Sequence, residues 1–191
     1  DGEKLKIAIV GKYFKIGDKS ILKDAYICVI EAIKHAAWRL NLNPQIQWFD
    51  VERLENKRER DKVMKELENF DGTIVPQGWG SRGVEGKIKT VEYARTKKVP
   101  YLGLCFVMQM SVIEYARNVL VLEKSYSTEV NKKTKLPVVH IMPHQQKLLK
   151  KKQFGGTTRL GSWPCKLEKV SKLEMLYKKY AKSSVKNNIV G

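Results

Sequence analysis

Apolar positions in the first 120 residues switch repeatedly between a short continuous run and a helical stripe, which predicts four strand-then-helix units. Leu5–Val10 is a short apolar run ending at Gly11. Lys23–Leu40 then carries Tyr26, Val29, Ile30, Ile33, Ala36, Ala37 and Leu40 near helical spacing. Pro44–Phe49 reads as the second strand and Lys57–Phe70 as its helix, with Val63, Met64, Leu67 and Phe70 on one side. The Asp71-Gly72 turn leads into a strand at Thr73–Pro76. The helix Val84–Lys98 follows, striped by Val84, Ile88, Val91 and Ala94. Pro100–Cys105 is expected to be a buried strand feeding the helix Val107–Leu120. Units of this kind fold as an α/β domain: a mostly parallel sheet with helices on both faces. After Leu120 the pattern weakens. Val138–Met142 reads as a strand, Gly155–Gly161 as a turn or hairpin, Lys172–Tyr180 as a short helix, and the tail from Ser183 carries no clear pattern.

In a parallel sheet, ligands bind where the carboxyl ends of the strands run into loops. Three unusual segments fall there: Gly11-Lys12-Tyr13, Pro76–Gly86, and Cys105 itself. Cys105 sits in Gly103-Leu104-Cys105-Phe106-Val107, where a strand turns straight into a helix. A nucleophile elbow needs this setting, because the tight turn pushes the side chain out at the sheet edge. The unpaired N–H groups and dipole of the helix start stabilise a thiolate, and the N–H of Phe106 would face the oxyanion formed when it attacks a carbonyl. A buried structural cysteine is the other reading, and the local sequence alone leaves both open. Pro76-Gln77-Gly78-Trp79-Gly80 lets backbone N–H groups approach a ligand closely, as a second oxyanion donor requires; taken alone, an ordinary strand-to-helix turn accounts for it.

Composition adds limits. The 191 residues are 42% hydrophobic and 30% charged, which fits a soluble globular domain. No run nears the roughly 20 apolar residues of a membrane helix, and no signal peptide precedes Leu5. Cys28, Cys105 and Cys165 are odd in number and widely spaced, which argues against a disulfide framework or zinc site and for a reducing, cytoplasmic setting. The formal net charge of +17 invites a nucleic-acid reading. However, the lysines are spread along the chain, apart from the Lys147–Lys152 cluster, and no RNA- or DNA-binding motif accompanies them, so solvated faces account for most of the charge.

Taken together, the segments resemble the glutaminase domains of CTP synthases, a branch of the class I glutamine amidotransferases. The resemblance rests on Ile7-Ala-Ile-Val-Gly-Lys-Tyr13, Asp24-Ala-Tyr26, Ser81-Arg-Gly-Val-Glu-Gly-Lys87, Pro100-Tyr-Leu-Gly-Leu-Cys105, Met108-Gln109, Ile113–Val119, Ser127-Thr-Glu129 and Gly155-Gly-Thr-Thr-Arg-Leu-Gly161. It runs from about residue 5 to about residue 165. It implies a flavodoxin-like fold of the class I amidotransferase type, in which Cys105 attacks the glutamine side-chain amide to release ammonia through a glutamyl thioester. It further implies that the N–H groups of Gly78 and Phe106 hold the oxyanion and that Gln109 and Glu129 bind the substrate glutamine, with no metal and no cofactor in this domain. In the parent enzyme it implies a synthetase domain in cis before Asp1, using ATP and magnesium to convert UTP to CTP, GTP as allosteric activator, and a homotetramer.

The sequence departs from that pattern in three places. Gln77 replaces the first glycine of the family's Pro-Gly-Gly-Phe-Gly loop. Val107 replaces the elbow glycine, and overpacking there, at a cost of about 1–3 kcal/mol, is expected to displace the thiol. The family's His-x-Glu base pair is not found after His144. Of the histidines present, His35 lies on the first helix and His140 and His144 flank a strand that the family does not use for its base. The C-terminal part of the domain is therefore expected to be incomplete; the alternative is an inactive glutaminase-like domain with an assembly or regulatory role.

Overall fold

A computed structural model describes residues 2–12, 26–151, 163–181, 186 and 189–190. These fall into two compact units, residues 1–141 and 142–191. The expected turn at Gly155–Gly161 and the start of the helix expected from Lys23 lie outside the described residues.

The first unit is built on a four-stranded parallel sheet: β1 (Glu3–Gly11), β2 (Leu42–Asp50), β3 (Gly72–Val75) and β4 (Tyr101–Gly103), ordered β2-β1-β3-β4. Ala8, Ile9 and Val10 of β1 are fully buried because the strand is central and both its faces are covered. Alternation along it sorts the two cores. Ala8 and Val10 point toward α2 (Lys57–Leu67) and α3 (Val84–Lys97), packing with Val63, Leu67, Tyr93 and Ala94. Ile7 and Ile9 point the other way, to Val29 and Ile33 of α1 (Ile27–Arg39). Helices therefore cover both faces, as the pattern predicts.

The chain steps from β1 outward to β2, then returns across β1 to β3 and β4. The reversal puts a topological switch point between β1 and β3, at the carboxyl ends where Lys12, the loop after Val75 and Cys105 emerge.

Several expectations need correction. The run Pro100–Cys105 is not a buried strand: among the described residues β4 is the outermost strand of the sheet and Leu102 is 53% exposed. An apolar run gives strand character but not strand order, so the edge is not legible from it. The second helix stops at Leu67, where Asn69 and Phe70 close a turn onto Glu66 and Leu67 carbonyls. The helix α4 begins one residue earlier than expected and spans Phe106–Asn118. The strand expected at Val138–Met142 is β6, Leu136–Val139, held by parallel pairing to an unforeseen β5, Ser125–Ser127.

In the second unit, α5 (Pro143–Lys150) occupies the segment carrying His144 and the first two lysines of the cluster, with proline at its first position, where a missing N–H costs nothing. Then come β7 (Cys165–Lys166), α6 (Lys172–Tyr180) and β8 (Ile189–Val190), which pairs antiparallel with β7. Ser171 caps α6 by accepting from the Glu174 N–H at 3.1 Å.

Candidate active site

Cys105 joins β4 to α4 with φ 57° and ψ −116°, a region that L-residues occupy only under constraint and at a cost of order 1–3 kcal/mol. Its neighbours supply that constraint. The N–H of Leu104 donates to Val75 at 3.0 Å, continuing the ladder with β3. The N–H groups of Val107 and Met108 turn back to the carbonyls of Leu104 and Cys105 at 3.1 and 3.0 Å. That pattern leaves the N–H of Phe106 without a partner among the described residues, at the head of the helix and next to an exposed thiol. The expected displacement of the thiol by Val107 does not occur. Val107 is fully buried with Ala8, Val10 and Val75, so the isopropyl group fills the core beneath the elbow while the backbone keeps the elbow's shape.

The loop after β3 carries the other expected donor. Pro76 and Gly78 are buried while Gln77 is exposed and keeps a negative φ, so the glutamine stands outside the loop and adds no backbone strain. Two lysines grip this loop from below. Lys87 on α3, fully buried, donates its ammonium to the Gly78 carbonyl. Lys12, 2% exposed, donates to the carbonyls of Trp79 at 3.0 Å and Gly80 at 3.4 Å. The Lys87 ammonium also lies 5.1 Å from the centroid of the Phe106 ring, within cation–π range. Its pKa is brought down to about 8, chiefly by burial, with the nearby Lys12 charge adding to the lowering and Cys105 opposing it. Lys12 is lowered for the same first reason, burial, with Arg82 adding to the effect.

Gln109 follows Cys105 by four residues on α4, one turn along the same face. Its Oε1 is buried and has no hydrogen-bond partner among the described residues. A buried acceptor left unmatched is costly unless a ligand satisfies it. Glu129 follows β5, its N–H donating to the Ser127 Oγ at 3.2 Å. Tyr126 and Val130, on either side of it, pack against the core formed by Val84, Ile88, Phe106, Met110 and Ile113 of α3 and α4. Desolvation raises the Glu129 pKa. His35 on α1 meets Trp38 in a tilted ring contact at 5.9 Å, and His140 turns its Nδ1 to the Ile141 carbonyl at 3.3 Å. The His144 side chain lies outside the described residues.

Sequence reasoning placed Lys12 in a strand-end segment and Lys87 in a family-like motif, but gave neither a role. A signal existed: Lys87 falls three residues after Val84 and four before Val91, inside the apolar stripe of its helix, where a charged residue breaks the amphipathic pattern.

A cysteine strained into an elbow at the carboxyl end of β4 in a parallel α/β sheet, with an open N–H beside it, has the arrangement that acyl-transfer chemistry needs. The glutamine amidotransferase class-I family model matches residues 21–186, and the chain belongs to that family. Within it, the chain is similar to CTP synthases. It is 45% identical over 176 residues to the CTP synthase of Microcystis aeruginosa, covering 92% of this chain and 30% of the relative. It is 48% identical over 160 residues to that of Sulfurisphaera tokodaii, covering 84% and 28%. Among solved structures, the Trypanosoma brucei CTPS glutaminase domain with bound acivicin superposes with a TM-score of 0.74 at 32% identity, covering 97% of this chain and 64% of that one. The chain thus spans about three-tenths of the length of the curated relatives it matches.

Proposed function

We propose that this chain is the glutamine-hydrolysing part of a CTP synthase. The observation that carries the reading is the elbow: an exposed, strained Cys105 whose neighbour Phe106 has an N–H with no partner among the described residues, Lys87 meeting both the Phe106 ring and the Gly78 carbonyl. In the proposed reaction the Cys105 thiolate adds to the side-chain carbonyl carbon of glutamine. The oxyanion is held by the N–H groups of Gly78 and Phe106. The C–N bond breaks as the nitrogen takes up a proton from solvent water and leaves as ammonia; water then adds to the thioester carbonyl and the C–S bond breaks, giving glutamate and the free thiol. Gln109 Oε1 and the Glu129 carboxylate are the proposed contacts to the substrate's amino-acid end, where an ammonium group needs acceptors.

The remaining assignments rest on similarity to CTP synthases. They are a synthetase domain in cis that uses ATP and magnesium to aminate UTP, activation by GTP, a homotetramer and a cytoplasmic setting. No described residue is assigned to those nucleotides. Among the described residues no helix is long and apolar enough to cross a membrane.

Acivicin, the compound in the trypanosomal structure, tests the nucleophile separately from the acid–base steps. One equivalent is expected to attach at Cys105, to be blocked by excess glutamine, and to be absent in Cys105→Ala, as read by intact mass and peptide mapping. Failure to label Cys105, or equal labelling of Cys28 and Cys165, would discard the reading.

Glu129 gives a pH prediction. Because desolvation raises its pKa, the carboxylate is lost, as pH falls, at a higher pH than the ordinary carboxylate value of about 4.3. The half-saturating acivicin concentration is therefore expected to rise on acidification already above that value. In Glu129→Gln it should start about tenfold higher, from loss of one charge-assisted contact, and stay flat. An unchanged acid limb in Glu129→Gln would remove this residue from the substrate site.

A further inference from the structure

Buried lysines need a reason, because an ammonium held away from water is costly unless its donors are matched. Lys87 is fully buried, and its described polar partner is the carbonyl of Gly78; its described apolar partner is the ring of Phe106. Those are the two residues whose N–H groups form the oxyanion hole in the reading above, and they come from different elements, the loop after β3 and the head of α4. Lys12 fixes the next two carbonyls of the same loop. A Cβ built on Gly78 would sit at ordinary contact distance from the Lys87 Nζ and Tyr26 Oη, 3.5 Å, and from the Lys12 Cδ, 3.8 Å, so these side chains line the space beside the loop.

We propose that Lys87 is a positioning residue of the oxyanion hole, its ammonium tying the Gly78 loop to Phe106 so that the two N–H donors stay in register over Cys105. This rests on the reading of Cys105 as the glutaminase nucleophile. A hydrogen bond from the ammonium to a carbonyl and a cation–π contact to a ring both weaken when the proton leaves, because the neutral amine carries no charge. The brace therefore loosens as pH rises through about 8, where Lys87 deprotonates. The charged or titratable groups acting on it are Lys12, at the end of β1, and Cys105, at the head of α4; the Tyr26 hydroxyl, just before α1, borders the same loop.

The test compares two alkylating agents on the full chain across pH 6.5–9.5. Iodoacetamide reports only the thiolate fraction and its access, whereas acivicin also needs the donors in place, so the ratio of their rates at Cys105 cancels thiol ionisation. In the wild type the ratio is expected to fall as pH passes about 8. In Lys87→Met, which keeps the stem but not the ammonium, it should be lower by about 10²-fold and independent of pH, the effect of displacing a catalytic contact by about an ångström. A merely structural lysine would move stability without making that ratio depend on pH. A wild-type ratio flat through this range overturns the proposal even if Lys87→Met does not fold, and so does a Lys87→Met ratio equal to the wild type. Iodoacetamide reaction without any acivicin reaction in the wild type instead removes the nucleophile reading, and this proposal with it.

Discussion

Gly86→Ala is expected to destabilise the first unit by about 4 kcal/mol, among the largest effects a single methyl can have. Helix propensity alone gives the opposite sign, since alanine in place of glycine inside a helix gains roughly 1 kcal/mol. The tertiary contact decides. A Cβ at Gly86 would run into the backbone carbonyl oxygen of Val51 and lie 3.0 Å from the Val51 Cγ2. Backbone cannot rotate aside as a side chain can, so α3 would have to lift away from the 3-10 turn at Val51–Leu54. That turn is part of the main core, with Val51 and Leu54 fully buried. Lifting α3 would also carry Lys87 away from Gly78. The expected result is a lower urea midpoint, followed by fluorescence of Trp38 and Trp48, both in the first unit, with a parallel loss of acivicin labelling. A Gly86→Ala protein as stable as the wild type would show that the approach of α3 to Val51 is looser than described.

Arg95→Met is expected to cost about 3 kcal/mol, and Glu114→Gln only about 1. These residues clasp α3 to α4. The Arg95 Nε lies 3.0 Å from both carboxylate oxygens of Glu114 and an Nη lies 2.7 Å from one of them, with Asn118 adding a bond at 3.0 Å. Burial is unequal: the Glu114 side chain is 1% exposed and that of Arg95 35%. Removing the arginine strands a carboxylate in the interior. Removing the carboxylate's charge leaves a guanidinium that water can still reach. The hydrogen bond to Glu114, first among the causes, raises the Arg95 pKa, consistent with a tight pair. Denaturant titrations of the two single variants and the double variant measure the difference, and equal costs for the singles would reject the asymmetry.

Much of the architecture was legible before the fold was known, because hydrophobic period distinguishes strands from helices without knowledge of their neighbours. The four strand-then-helix units, and the placing of Gly11, Pro76–Gly80 and Cys105 at strand ends, follow from local pattern. Strand order does not, since it depends on which strands pair; hence Leu102, expected inside, lies on the edge strand. The short β5 and α5 were missed for a related reason. Three residues such as Ser125–Ser127 are too few to show a period, and they form a strand only because Leu136–Val139 pairs with them.

The site divides in the same way. By itself the sequence determined which residue is the candidate nucleophile, because a cysteine between a strand and a helix, with Gly103 two residues before it, is a local feature. It also singled out the Gly78 loop and, through resemblance, Gln109 and Glu129. Only the tertiary structure decided that Val107 and Gln77 are compatible with the elbow and the loop. One side chain fills the core and the other faces solvent, and neither outcome can be read from residue type. Only the fold brought Lys12 and Lys87, 75 residues apart in the chain, under the same loop. A lysine's sequence neighbours do not reveal whether its ammonium ends in water or beneath a carbonyl, because a flexible side chain is placed by what packs around it.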